Sequence, residues 1–137
     1  MDCVFCKIIS EEFDSAKIYE DDNVFAFLDI KPVTKGHVLI IPKRHAQDIF
    51  DIPKTDLQSI IAAAKKISQK IKDVLGADGI RLSQSNGEHA GQVVFHYHLH
   101  VIPRYKDDGI TMNETAVIRA SQADIVELKQ LAEKLKI

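Results

Sequence analysis

The chain has 137 residues, 45% hydrophobic and 28% charged, and its 18 Lys and Arg against 20 Asp and Glu leave a formal net charge of −2. One globular domain over 1–137 with a full core fits that composition, whereas a charge so near balance excludes an electrostatically driven nucleic-acid coat or a polybasic membrane anchor. Nowhere do apolar residues run far enough to span a membrane, and the opening Met1-Asp2-Cys3-Val4-Phe5-Cys6 has neither the basic nor the apolar region of a secretion signal, which predicts a cytoplasmic protein.

Elements are predicted in chain order from period and turn chemistry. Cys3 to Glu12 reads as a short helix. Lys17 to Glu20 and Val24 to Ile30 read as strands of a hairpin turning at Asp21-Asp22-Asn23, and His37 to Pro42 as a third strand after the turn Pro32-Val33-Thr34-Lys35-Gly36. From Thr55 the period changes: Leu57, Ile60, Ile61, Ala64, Ile67, Ile71 and Val74 fall at helical spacing. Thr55 or Asp56 is the expected cap, and Gly76 the expected stop. Ile80 to Ser85 is a fourth strand and Val94 to Tyr105 a fifth. Lys106 to Ala120 is weakly patterned and reads as loop, and Ser121 caps a last helix running to Ile137. The sum is an α+β fold, a five-stranded antiparallel sheet with one long helix packed on it and a C-terminal helix.

Six histidines occur, and three of them alternate in Val94-Phe95-His96-Tyr97-His98-Leu99-His100-Val101-Ile102. On a strand this puts His96, His98 and His100 on one face and Phe95, Tyr97, Leu99 and Val101 on the other, free to pack on the long helix. Neighbouring imidazoles would stand ~7 Å apart and the outer two ~13 to 14 Å, too far to close around one metal ion. A row of three half-buried imidazoles is costly for a strand that has only to pack, which points to chemistry on a group the size of a phosphate with its leaving group. The two cysteines, Cys3 and Cys6, are spaced for a metal or for a redox pair, although a thioredoxin-type pair lies deep in a βαβ unit. His89 sits in a loop and matches no pattern.

His96-Tyr97-His98-Leu99-His100-Val101-Ile102 resembles the signature of the histidine triad (HIT) family of nucleotide hydrolases and transferases. Asp29-Ile30, Gly36 through His45, Asn86 and Gly91-Gln92 are similar to the family pattern in order and spacing, so the likeness covers roughly residues 3 to 105. The closest branch is the phosphoramidase type, which resembles this chain in size and in having a third histidine.

The resemblance implies a hydrolase that cleaves purine nucleoside phosphoramidates or related conjugates at the alpha-phosphate. His98 is then the nucleophile, with a nucleotidyl-histidine intermediate, a role that suits imidazole because it is largely uncharged at pH 7. His100 binds a phosphate oxygen or protonates the leaving group, and His37 completes the hydrogen-bond network. Asp29 holds the ribose hydroxyls, Asn86 and the backbone of Gly91-Gln92 supply donors to the anion, and Val4, Phe5, Ile8, Phe27, Ile30 and Leu39 enclose the base. Val93 departs from the pattern, since many relatives carry Ser or Thr there. The cysteine pair implies one structural zinc on Cys3, Cys6, His45 and His96, and the branch implies a homodimer. A dinucleoside polyphosphate hydrolase and a nucleotide-binding regulatory protein with vestigial turnover are the alternatives.

Overall fold

A computed structural model describes residues 2–111 and 120–137. Its elements are α1 (Val4–Ile9), β1 (Lys17–Glu20), β2 (Val24–Leu28), β3 (Val38–Pro42), α2 (Lys54–Leu75), β4 (Gly79–Ser83), β5 (Leu99–Arg104) and α3 (Ile125–Leu135), with one turn of 3₁₀ helix at Glu88–Ala90. All strand pairings are antiparallel, in the order β1-β2-β3-β5-β4, giving the α+β architecture that the sequence predicts.

The apolar runs of β2 and β3 are continuous because both strands are buried on both faces. One face presents Val24, Ala26, Leu28, Val38, Ile40, Leu99 and Val101 to the stripe Ile60, Ala63, Ala64, Ile67 and Ile71 of α2, and Leu128, Ala132 and Leu135 of α3 close the same core. The opposite face presents Phe25, Phe27, Leu39 and Ile41 to Phe5 and Ile8 of α1. A helix of six residues covers β2 and β3 but does not reach across β5 and β4. That uncovered part of the second face is where the site lies.

Several boundaries differ from the expected ones. Pro53, not Thr55 or Asp56, is the N-cap of α2; Asp56 is buried inside the first turn and accepts from the Arg44 guanidinium at 3.0 and 3.2 Å. Gly76 does end α2, in the left-handed conformation at φ 68°. Asp124, not Ser121, caps α3, its Oδ1 accepting from the Val126 N–H at 2.8 Å. The cap of α1 is Cys3, whose sulfur accepts from the Cys6 N–H at 3.4 Å. Most of the loop expected from Lys106 to Ala120 lies outside the described residues.

The largest correction concerns the fifth strand, which begins at Leu99 rather than Val94, so His100 alone of the triad lies in the ladder. The preceding residues bond elsewhere. Gln92 Nε2 donates to the Gln47 and Val94 carbonyls, the Tyr97 N–H to Ala46, and the His96 ring to Pro42. Tyr97, Leu99 and Val101 still enter the core under α2, while Phe95, expected beside them, is 42% exposed. Gly36 makes the turn into β3 at φ 90°, where an added Cβ would stand 2.7 Å from Leu75 Cδ1.

Candidate active site

Backbone pairing lays out the site. Phe27 of β2 pairs with Leu39 of β3, Leu39 with His100 of β5, and His100 with Ser83 of β4, so one cross-strand row runs from an aromatic wall through an imidazole to a hydroxyl. Above this row opens a cleft of about 740 Å³. Its walls include Val4, Phe5 and Ile8 of α1, Phe27 and Leu39 of the sheet, Asp29 and Ile30 just after β2, Gly91, Val93, His98 and His100. The apolar side chains expected around a base therefore converge on one space.

The protonation pattern of the histidines follows from their partners. A carbonyl only accepts, so His98 Nδ1, 2.8 Å from the His96 oxygen, carries the proton and leaves the Nε2 lone pair free. The Val33 N–H donates to His37 Nδ1 at 3.0 Å, so the proton of His37 is on Nε2, 2.9 Å from His100 Nδ1. His100 thus accepts on Nδ1 and, when neutral, holds its own proton on Nε2. Burial favours these neutral forms by pushing His37 down to about 4 and His100 to about 3, and it lowers His98 as well. Asp29 stands 3.5 Å from His37 Nε2, accepts from the Lys31 N–H at 2.9 Å, and is pushed up to about 6 by burial.

Not every anticipated group reaches the cleft. Asn86 does not line it: its Oδ1 accepts from the Ile49 N–H and Gln84 Nε2, and its Nδ2 donates to Gln84 Oε1. Ser85, one residue earlier, lines the cleft instead. The N–H groups of Gly91 and Gln92, expected to meet an anion, donate to the Glu88 and Gly87 carbonyls at 3.0 and 3.1 Å. The Gln92 side chain is buried and accepts from the Gly87 N–H at 2.7 Å, so Gln92 builds the loop. Val93 is 72% exposed at the cleft lip, and His89 lies in the 3₁₀ turn. The sequence reading missed Phe13, Ser15, Arg81, Ser83, Ser85 and Ile125, all of which line the cleft. Only the alternation of Arg81, Ser83 and Ser85 was a visible signal.

A second cluster lies behind the triad. The sulfurs of Cys3 and Cys6 and the Nδ1 atoms of His45 and His96 all fall within 4.8 Å of one another, and His96 Nε2 donates to the Pro42 carbonyl at 2.9 Å, leaving its Nδ1 unprotonated and facing the thiols. Separations of 3.2 Å between the two nitrogens and 3.3 to 3.6 Å from nitrogen to sulfur match the ~3.3 to 3.8 Å edges of a tetrahedral shell with bonds of ~2.0 to 2.3 Å. Burial and the neighbouring Cys3 push the Cys6 thiol up to about 11, so paired thiolates here require a cation. The donor set fits a metal ion.

The HIT domain family matches residues 10–107. The chain belongs to the HIT family. Its members are nucleotide-binding hydrolases and transferases. The Bacillus subtilis protein hit is 49% identical over 108 residues, covering 78% of this chain and 74% of that one. The crystal structure of a zinc-bound histidine triad family protein from Mycobacterium smegmatis superposes with a TM-score of 0.84 at 36% identity, covering 98% of this chain and 94% of the other. The adenylylsulfatase HINT3 of Arabidopsis thaliana is 41% identical over 114 residues, 83% of this chain and 58% of its own length.

Stability should depend on pH through the buried groups. His37 and His100, folded at about 4 and about 3 against 6.5 when unfolded, bind fewer protons folded, so stability falls as pH falls below 6.5. Asp29, raised from 3.8 to about 6, binds more protons folded and opposes them over that interval. His96 is pushed down to about 4 in the same way, so three histidines outweigh one carboxylate, and urea unfolding should show a loss on the order of 4 kcal/mol between pH 7 and pH 5. The loss should be smaller in His37→Gln; an equal loss would remove His37 from this account.

Proposed function

We propose that the chain is a nucleotide hydrolase that cuts at the alpha-phosphate of purine nucleoside phosphoramidates or related nucleotide conjugates through a nucleotidyl-His98 intermediate. The observation that carries this reading is the His98 Nδ1 hydrogen bond to the His96 carbonyl, which leaves Nε2 as a lone pair at the cleft. Nε2 attacks phosphorus, the N–P bond forms, and the bond to the leaving group breaks with its electron pair. His100 Nε2–H donates to a phosphoryl oxygen or to the departing atom, and His37 fixes that orientation by donating to His100 Nδ1. Water then attacks the phosphorus, the N–P bond breaks with its electron pair returning to His98 Nε2, and the water gives a proton to solvent, which frees the mononucleotide and neutral His98. Phe5, Ile8, Phe27 and Leu39 enclose the base, and Asp29 takes the ribose hydroxyls.

Val93 places no hydroxyl beside the leaving group and His100 is held neutral, so an amine must take its proton from water. A sulfate leaving group needs no proton, and the likeness to a relative named adenylylsulfatase favours such conjugates as a second reading. Turnover of adenosine 5′-phosphoramidate should fall on the order of 10³-fold or more in His98→Ala while nucleotide affinity changes little. A preference for adenylyl sulfate or for a diadenosine polyphosphate in the same assay would keep the nucleophile and change the substrate class. No His98-dependent turnover of any of the three would leave a nucleotide-binding regulatory role.

Zinc is the ion that a Cys2His2 set of this spacing selects, as a closed structural site. Cys3, Cys6, His45 and His96 would hold it, tying α1 to the triad segment, and its chemistry would be confined to that cross-link. A pair of reduced thiols suits the cytoplasm. Elemental analysis should find one zinc per chain, and Cys6→Ser should lose it together with several degrees of thermal midpoint; full stability without metal would reject the structural role.

The homodimer reading is supported by apolar surface on the face of the sheet away from the cleft. Ile61 of α2 and Leu82 of β4 are separate exposed apolar side chains, at 53% and 43%, on elements packed on the core. Light scattering should give twice the mass of one chain, and Ile61→Glu should reduce it toward one; a wild-type monomer at micromolar concentration would count against the dimer.

A further inference from the structure

The cysteine cluster can do a chemistry that holding a cation does not use. Cys3 and Cys6 lie three residues apart at the start of α1, near enough for the Cys6 N–H to donate to the Cys3 sulfur at 3.4 Å, and both sulfurs belong to the group whose ligand atoms all fall within 4.8 Å of one another. A Cys-x-x-Cys spacing over one helical turn can be closed by a disulfide without unwinding the turn. The chain has two cysteines, so each is the other's one thiol partner within it. Cys3, Cys6 and His45 are partly exposed, and His96 is buried. α1 lies on the opposite face of the sheet from α2 and is separated from the edge strand β4 by β5, so the surfaces of the homodimer reading leave the sulfurs open to solvent.

Disulfide and metal exclude each other at this cluster. A disulfide sulfur has no thiolate charge to offer a cation, so joining Cys3 to Cys6 removes two of the four ligands and leaves His45 with His96. Those four residues tie α1 to the segment before β5. Phe5 stands between the two cysteines in the chain, meets the His96 and His98 rings edge-on at centroid distances of 5.8 and 5.2 Å, and lines the cleft together with Val4 and Ile8. A helix of six residues depends on such ties for its place.

We propose that Cys3 and Cys6 are a site of reversible oxidation by small-molecule disulfides, and that their disulfide expels the metal ion and loosens the α1 wall of the nucleotide cleft. One cysteine sulfur attacks the reagent disulfide, which gives a mixed disulfide and a first small thiol. The other cysteine sulfur then attacks the protein sulfur of that mixed disulfide, the Cys3–Cys6 bond forms and the second small thiol leaves. The cysteines lose two electrons and the reagent gains them; the departing thiols take their two protons from the cysteines or, where a cation has already displaced these, from water. His98 takes no part. The inference rests on the metal reading of the cluster given above.

The test treats the zinc-loaded protein with oxidised glutathione and follows three readouts. Mass spectrometry without reductant should show the loss of two hydrogen atoms, a zinc-binding dye should report one ion released per chain, and calorimetry should show affinity for adenosine 5′-monophosphate weakened about ten-fold. Dithiothreitol with added zinc should reverse all three. Cys6→His, which removes one sulfur and puts a nitrogen ligand in its place, should form no internal disulfide and release no zinc under the same treatment. Free thiols after treatment, a disulfide formed with zinc retained, unchanged nucleotide affinity in the oxidised protein, or zinc loss from Cys6→His equal to that of the wild type each overturn the switch alone. A reduced protein that holds no zinc overturns the metal reading and the switch with it.

Discussion

The hydrogen bond from His98 Nδ1 to the His96 carbonyl organises this molecule. It selects the tautomer of His98, and it also occupies a carbonyl that an earlier start of β5 would otherwise use in the ladder. The side chain of the same His96 reaches Pro42 with one nitrogen and the cysteine cluster with the other. One residue thus joins the end of β3, the N-terminal segment and His98. Its ring is fully buried and pushed down to about 4 by that burial, which keeps it neutral and able to serve on both sides.

Desolvation is the common cause of the site's electrostatics. Three imidazoles are kept neutral because they are taken out of water, and among the described residues no carboxylate lies close enough to reverse this except Asp29, which burial itself weakens as an acid. A neutral relay would suit the proposed attack on an anionic phosphate: His98 would keep its lone pair, and hydrogen-bond donors would meet the phosphoryl oxygens without a prior proton gain.

How much of this was legible depended on whether a residue spoke through the main-chain pattern or through its own side chain. The runs at Val24 and Val38 and the helical stripe of Ile60, Ile67 and Ile71 are consequences of burial, and they named the sheet and its helix directly. The alternation of the histidines was legible as a shared direction, but not the start of the strand, because the bonds from His96, Tyr97 and Gln92 to the end of β3 and the loop after it leave no periodic trace. Asn86 looked like the donor by residue type, yet the turn aims it at Gln84 and Ile49 and brings Ser85 forward. The metal quartet was readable only through family likeness, since Cys3 and His96 are 93 positions apart.

The sulfur of Cys3 both caps α1 and faces His96. A helix of six residues has too few hydrogen bonds to hold itself in water, and it carries Phe5 and Ile8, which roof the cleft. Phe5 also meets the His98 ring edge-on, with centroids 5.2 Å apart. The order of that roof is therefore borrowed from a thiol on its far side. A change at that sulfur would therefore act on the cleft from outside it, through the short helix that roofs it.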